Sequence, residues 1–314
     1  MNGLISQLFD FSDYGALLVL VRNSLIAGAA LGIVAGVVSV VVMMRDLPFA
    51  VHGISELSFA GAAGALLLGV NVVAGSLAGS LIAAVLIGLL GVRARDRNSI
   101  IGVLMPFGLG LGVLNLSLYH GRSANKFGLL TGQIVAVDSP DLRWLLGISV
   151  VVLVAVLVMW RPLMFASLDP DVAAARGVPV RLLAPMFMLV LGLAMSVQVV
   201  GALLVLSVMC TPAAAAFRVT ASPARAVVLS VVFATVSVVG GILLALGGSI
   251  PISPYVTTIA FGFYLACRIV ETARRRPGGR ARVPRSPADM SSRNPGARPA
   301  RPFYCDEAST TEVI

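Results

Sequence analysis

The stretch LLVLVRNSLIAGAALGIVAGVVSVVVMM, residues 17–44, decides the fold class of this chain. Arg22 is its only charged side chain, and the stretch exceeds the roughly 20 residues that an α-helix needs to cross the hydrocarbon core of a bilayer. We therefore predict a membrane-spanning helix here. Gly28, Gly32 and Gly36 recur every fourth residue, which puts them on one face where a neighbouring helix can approach closely. The same spacing recurs twice more along the chain, at Gly75 and Gly79 and at Gly108 and Gly112.

Eight further apolar runs follow the first one. They cover residues 49–70, 72–91, 99–119, 144–161, 183–198, 200–217, 226–246 and 255–270. Of the 314 residues, 58% are hydrophobic and 12% are charged, with a mean hydropathy of +0.97, whereas about a quarter of a soluble domain is charged. These values predict an all-α, polytopic transmembrane helical bundle of eight to nine spans. The lower number applies if a helix breaks at residues 197–201, because the sixth and seventh runs are short.

Arginine collects in alternate gaps between the apolar runs, which indicates the orientation of the chain in the membrane. These gaps contain Arg45, then Arg93, Arg95 and Arg97, then Arg161, Arg176 and Arg181, then Arg218 and Arg225. We therefore predict an extracytoplasmic N-terminal segment at residues 1–16, a membrane domain at 17–270 and a cytoplasmic tail at 271–314. The net charge of +9 follows the same bias, so we expect no nucleic-acid partner.

The predicted tail is rich in arginine and proline and poor in apolar residues. Such a composition cannot bury enough apolar surface to fold, so we expect it to be disordered. Its positive charge suits attraction to membrane lipid headgroups or contact with a partner; the alternative is a solvated extension without such a role.

The sequence contains none of the motifs that would make the chain an enzyme. Its only lysine is Lys126, in Asn125-Lys126-Phe127, so a phosphate-binding G-x-x-x-x-G-K-[ST] loop is excluded. Any ATP hydrolysis must therefore come from another polypeptide. The three cysteines, at positions 210, 267 and 305, are far apart and form no C-x2-C pair for a zinc site.

Two ionisable residues stand together inside the second apolar run, in HGISELSFAG from His52 to Gly61. His52 and Glu56 are four residues apart, so a helix puts an imidazole and a carboxylate on one face. Burying ionisable groups in a bilayer is costly, and this nitrogen and oxygen pair suits a divalent cation such as zinc, manganese or iron. Alternatively, the two side chains hydrogen-bond each other or neighbouring helices. Further donors to this pair could come from Asn115 or Gln198. His120 ends the fourth apolar run on the predicted outer side, where it could ligate an ion in an outer vestibule or simply lie at the membrane interface beside Tyr119.

Four stretches in order resemble the permease subunits of the ABC-3 class of metal importers, which carry zinc, manganese or iron. They are MRDLPFAVHGISELSFAG (residues 44–61), LLTGQIVAVDSPDL (129–142), LDPDVAAARGVPV (168–180) and VGALLVLSVMCTPAAAAFR (200–218). The second span of this family carries an Asp-x-x-x-His signature before a glycine. Here His52 stands in the aspartate position and Glu56 in the histidine position. Pro106 stands where many relatives have a histidine, and Gln133 replaces an acidic residue, so metal preference does not carry over.

The resemblance implies a type II ABC importer-like permease in a bacterial plasma (inner) membrane, without a tightly bound cofactor. It also implies a homodimer, cytoplasmic ATPase subunits and an extracytoplasmic metal-binding lipoprotein. Two cytoplasmic segments compete as the docking element, residues 169–181 and residues 217–225. The first contains Asp171 and Gly177, and the second contains Arg218, Pro223 and Arg225. By analogy with larger type II importers we prefer the second, with a short helix starting at Pro223.

We therefore expect a noncatalytic permease for ATP-driven uptake of zinc or manganese, with iron also allowed. His52 and Glu56 would contact the passing ion and, near the cytoplasmic side, form an inner gate. Three other readings stay open. They are an ion-coupled secondary carrier in which Glu56 titrates, a permease for a chelated metal, and a membrane scaffold without transport.

Overall fold

A computed structural model of the chain describes residues 21–91, 94–121, 139–196, 202–246 and 251–274. Ten helices and no strand occur in these residues, which confirms the all-α class. In chain order the helices are α1 (Arg22–Met44), α2 (Pro48–Leu68), α3 (Val72–Leu90), α4 (Ala94–Leu118), α5 (Ser139–Leu168), α6 (Pro170–Ala175), α7 (Val180–Ser196), α8 (Ala202–Val219), α9 (Pro223–Ala245) and α10 (Ile252–Arg274).

Each of the nine apolar runs overlaps one long helix in the described part of the chain, and the six-residue helix α6 lies between two of them. Seven described helices are long and apolar enough to cross a bilayer, namely α1 to α5, α9 and α10. Helix α7 contains the shorter apolar segment Leu182–Ser196. Residues 197–201, where a break was predicted, lie outside the described residues. The polytopic bundle is therefore confirmed, while the count of eight to nine spans stays a prediction.

Closely packed glycines join the helices, as their spacing predicted. A side chain on Gly32 or Gly36 of α1 would collide with the backbone of α9, at Thr235 and Val231 respectively. The stripe on α3 meets the backbone of α2 in the same way, and the stripe on α4 meets α2 from another side. Helix α2 is therefore packed tightly between α3 and α4, and it also contacts α7 and α8.

Large apolar side chains cover much of the outer surface of the bundle. On α5 alone the exposed ones are Trp144, Val150, Val151, Val154, Leu157, Val158 and Leu168. A contiguous apolar surface of this kind would be unfavourable in water, whereas it is what lipid-facing helices require. The chain is therefore a multi-pass membrane protein.

Helix ends that carry arginine lie on one face of the bundle. Val40 of α1, Ala216 of α8 and Ala226 of α9 share one small apolar cluster, which brings the ends of α1 and α8 to the start of α9. Arg45, directly after α1, contacts Ser167 at the end of α5. The positive-inside rule predicts that this face is the cytoplasmic one, and α2 begins at it.

The predicted terminal segments fall largely outside the described residues, which exclude 1–20 and 275–314. Helix α10 continues to Arg274, so residues 271–274 of the predicted tail are helical. The helical part of the chain therefore extends about one turn beyond the predicted end of the membrane domain at residue 270.

Candidate functional site

Helix α2 carries the two ionisable side chains of the predicted metal-contact pair. It begins at Pro48, whose missing N–H group leaves no hydrogen bond unmade in the first turn. It ends before Gly69, whose φ of 69° is the left-handed conformation that closes a helix with little strain for glycine. His52 lies one turn into this helix from the cytoplasmic face, and Glu56 lies one turn further.

The structure brings His52 and Glu56 into contact. The His52 Nε2 and Glu56 Oε1 atoms lie 3.7 Å apart, and the side chains are 28% and 8% exposed respectively. This distance is longer than a hydrogen bond, and it makes an ion pair only when the imidazole is protonated. The pair therefore combines a partly accessible imidazole with a carboxylate that is nearly shielded from the surroundings.

Each member of the pair also has a buried heteroatom without a hydrogen-bond partner among the described residues. These atoms are His52 Nδ1 and Glu56 Oε2. Leaving a buried polar atom unpaired costs about 1–3 kcal/mol, so a stable structural role does not account for the arrangement well. Two ligand atoms 3.7 Å apart can both lie about 2.1 Å from one ion, at a ligand–ion–ligand angle of about 120°. The pair can thus supply two ligands to one divalent cation.

The described residues bring no third His, Cys, Asp or Glu to this pair. Asn115 of α4 donates from Nδ2 to the Ala60 carbonyl oxygen at 3.4 Å, so it joins α4 to α2. Ile101 of α4 packs beside Gly53, the neighbour of His52 on α2. The end of α4 at Leu118 lies roughly 26 Å further along that helix, and His120 follows it. Asn115 is therefore bonded to α2 one turn beyond Glu56, and His120 is far from the pair, so its outer-vestibule role stays a prediction. A ligand set this small suits a passing ion, which must leave as well as enter.

Among the residues that the structure describes, the remaining sequence candidates give no further ligand. Pro106 is exposed on α4, and its side chain has no atom that could ligate a metal. Cys210 and Cys267 are free thiols on α8 and α10. Gln133, Gln198 and Cys305 lie outside the described residues.

The first predicted docking segment contains the short helix α6. The Asp169 carboxylate caps it, because its Oδ1 accepts hydrogen bonds from the Asp171 and Val172 N–H groups at 3.1 and 3.0 Å. Gly177 follows the helix with a φ of 82°, which favours glycine and turns the chain towards α7. Helix α6 is therefore short and fixed at both ends, and the Asp171 side chain is exposed.

The second predicted docking segment differs from the expectation. Pro223 begins the 23-residue helix α9, so the prediction of a short helix there is wrong. The apolar run after Arg225 continues the helix without a break. Arg218 engages partners within the chain, since its Nη1 lies 3.4 Å from Glu271 Oε2 and its Nη2 donates to Tyr264 Oη at 3.2 Å. Arg225 is exposed in the first turn of α9.

Two long-range contacts near the cytoplasmic face were not predicted from the sequence. Arg45 Nε donates to Ser167 Oγ at 3.0 Å. Ser39 Oγ accepts a hydrogen bond from the Ala213 N–H group at 3.2 Å, directly after the proline that interrupts α8. The sequence showed a lone arginine after the first apolar run, but it gave no sign of a partner 122 residues away.

The family model described as the ABC 3 transport family matches residues 18–271, which is the membrane domain predicted at 17–270. The chain belongs to this family. The resemblance found in the four sequence stretches is therefore confirmed. As a member of the ABC 3 family, the chain is a multi-pass permease subunit of an ABC importer in the bacterial plasma membrane.

Similar proteins agree with this assignment. The manganese transport system membrane protein MntC of Halalkalibacterium halodurans is 29% identical over 241 residues, which are 76% of this chain and 82% of that protein. The high-affinity zinc uptake system membrane protein ZnuB of Haemophilus influenzae is 25% identical over 226 residues, 71% of this chain and 86% of that protein. The solved structure of PsaBC from Streptococcus pneumoniae in complex with Fab matches with a TM-score of 0.75 and 25% identity, over 85% of this chain and 98% of that one.

Proposed function

We propose that this chain is the permease subunit of an ATP-driven importer that carries manganese or zinc. The names of two relatives support these ions, since MntC is named for manganese and ZnuB for zinc. Those relatives support neither iron, nor an ion-coupled carrier, nor a chelated metal as cargo. The match over the whole membrane domain also leaves a scaffold without transport unsupported.

The observation that carries the proposal is the contact between His52 and the buried carboxylate of Glu56. A carboxylate in a membrane-spanning helix is costly, and its Oε2 atom has no partner in the described part of the chain. A divalent cation at the pair would satisfy the imidazole nitrogen and the carboxylate together. Because two ligands leave the shell incomplete, water or other groups can replace them, and the ion can leave.

The position of the pair supports a role in releasing the ion. His52 lies four residues from Pro48, which is about 6 Å along the helix from its cytoplasmic end. An ion that has crossed most of the membrane would meet the carboxylate first and the more exposed imidazole second. We therefore assign the pair to an inner gate, where ligands are exchanged before the ion enters the cytoplasm.

ATP hydrolysis belongs to partner subunits in this proposal, since the chain has no G-x-x-x-x-G-K-[ST] loop. Helix α6, with the exposed Asp171 and the turn at Gly177, is the better docking element because it is short and fixed at both ends. Arg225 would extend this surface from the start of α9. A second copy of the chain and an extracytoplasmic metal-binding lipoprotein complete the proposed importer.

Uptake of radioactive manganese and zinc tests the proposal. Cells would express this chain with its ATPase and binding protein, carrying Glu56→Gln, His52→Ala or neither. Removing a ligand should lower uptake by about tenfold or more, because losing even a residue that only hydrogen-bonds a metal ligand typically lowers metal affinity or activity by about 10–100-fold. Ser58→Ala is the matched control on α2, because Ser58 is buried and bonds Ser76 of α3 instead.

Two results would contradict the proposal. If both pair variants take up metal as fast as the wild type, the pair has no part in transport. If uptake continues in cells that lack the ATPase, the chain is not the permease of an ATP-driven importer, and an ion-coupled carrier would account for the buried carboxylate.

A further inference from the structure

Arg45 joins the start of α2 to the end of α5, directly before the docking helix α6. It lies in the turn between α1 and α2, and its Nε donates to Ser167 Oγ of α5 at 3.0 Å. Its guanidinium carbon lies 6.0 Å from the centre of the Phe187 ring on α7, at the outer limit of a cation–π contact. One side chain therefore connects the α1–α2 turn with two other helices.

The serine that Arg45 contacts is held in one orientation. Ser167 Oγ accepts the hydrogen bond from Arg45 and donates its own to the Leu163 carbonyl oxygen at 2.6 Å. Ser167 is also two residues before Asp169, the residue that caps α6. Movement of α6 would therefore pull on Ser167 through the chain. Ser167 would either move with α6 or lose its hydrogen bond to Arg45.

Stability does not explain this arginine. The described residues give it no carboxylate partner within ion-pair distance. Burial lowers the pKa of the Arg45 guanidinium, and the positive charge of Arg97 lowers it further. Both effects mean that the folded protein holds the charge in an unfavourable place. Such a residue is better explained by a role in function than by a contribution to folding.

We infer that Arg45 is a positioning residue that passes movement of α6 to the cytoplasmic end of α2, and so to the His52–Glu56 pair. The path is short, since Pro48 follows Arg45 by three positions and His52 lies about one turn beyond Pro48. The inference rests on the proposed function, in which partner ATPases act on α6. ATP hydrolysis then opens the inner gate because the hydrogen bond between Ser167 and Arg45 carries the movement of α6 to α2.

The test measures how many metal ions enter for each ATP hydrolysed. Proteoliposomes would contain the complete importer, with Arg45→Gln, Arg45→Lys, Ser167→Ala, or Arg45→Gln and Ser167→Ala together. We expect ATP hydrolysis to continue while the ion-to-ATP ratio falls by about fivefold or more in Arg45→Gln and in Ser167→Ala. The double variant should be no worse than either single one, because both remove the same contact. Arg45→Lys, which can still donate to Ser167, should keep a higher ratio than Arg45→Gln.

Two control variants match these changes. Arg161→Gln removes an exposed arginine from α5, the helix that carries Ser167. Ser149→Ala removes a buried serine of α5 that bonds the Leu145 carbonyl oxygen in the same way as Ser167 bonds Leu163. Both controls should keep the wild-type ratio.

A ratio that stays at the wild-type value in Arg45→Gln and Ser167→Ala would overturn the inference. So would a parallel loss of ATP hydrolysis and uptake in Arg45→Lys and Ser167→Ala, because that result indicates a structural role. Failure of the wild-type importer to move manganese or zinc would instead refute the proposed function itself.

Discussion

Changing Gly36 to alanine should separate α1 from α9. A Cβ atom at this position would lie 2.5 Å from Val231 Cα and 2.7 Å from Val231 N. Carbon atoms pack best at about 3.5–4.0 Å, so the two helices must move apart by about 1 Å. Overpacking of this kind costs about 1–3 kcal/mol, whereas replacing glycine within a helix returns up to about 1 kcal/mol. We therefore expect Gly36→Ala to lower the free energy of unfolding by about 1–2 kcal/mol.

Thermal unfolding of the purified protein in detergent would measure this effect. Gly102→Ala is the matched control, because Gly102 is also within a helix but no atom outside its own neighbourhood lies within 4 Å of the added Cβ. The control should be as stable as the wild type or slightly more stable, while Gly36→Ala melts at a lower temperature. If both variants melt at the wild-type temperature or above, close packing of α1 on α9 is not what holds this part of the bundle together.

Three further predictions concern single contacts. Ser39→Ala removes the hydroxyl that accepts a hydrogen bond from the buried Ala213 N–H group and should lower the free energy of unfolding by about 1 kcal/mol, whereas Ser230→Ala, which removes a buried hydroxyl that has no partner among the described residues, should lower it less. Gly177→Ala puts a side chain at a φ of 82°, so it should strain the end of α6 by about 1 kcal/mol and reduce co-purification of the ATPase subunits. Arg218→Gln removes the ion pair between Arg218 and Glu271, and because solvent-exposed pairs contribute little, the melting temperature should stay close to the wild-type value; a clear fall would show that this contact is structurally important.

The sequence was sufficient to predict the all-α class and the positions of the long helices, because membrane helices leave a strong local signal in the form of long apolar runs. Each long apolar run overlaps a helix, and the glycine spacing correctly identified faces of α1, α3 and α4 that pack closely. The partners of those faces could not be predicted. Nothing near Gly36 in the sequence indicates that Val231 of α9 covers it, since such pairing is decided by the whole bundle.

The candidate site was predictable only where it is local. His52 and Glu56 share a helix face at a spacing of four residues, and the structure brings their side chains together. The short helix was expected at Pro223, because proline often begins a helix, yet the apolar residues that follow extend that helix to Ala245. The contact of Arg45 with Ser167 spans 122 residues and required the folded chain.

The central claim is that the ion passes Glu56, and cadmium block of a cysteine variant tests it most directly. The three native cysteines would first be replaced by serine, and Glu56→Cys and Ser58→Cys would then be made in that background. Because a thiolate binds soft cations tightly, added cadmium should stop the residual manganese uptake of Glu56→Cys. Ser58→Cys, whose side chain faces α3, should be unaffected. If cadmium leaves both variants equally active, the carboxylate of Glu56 does not lie on the path of the ion.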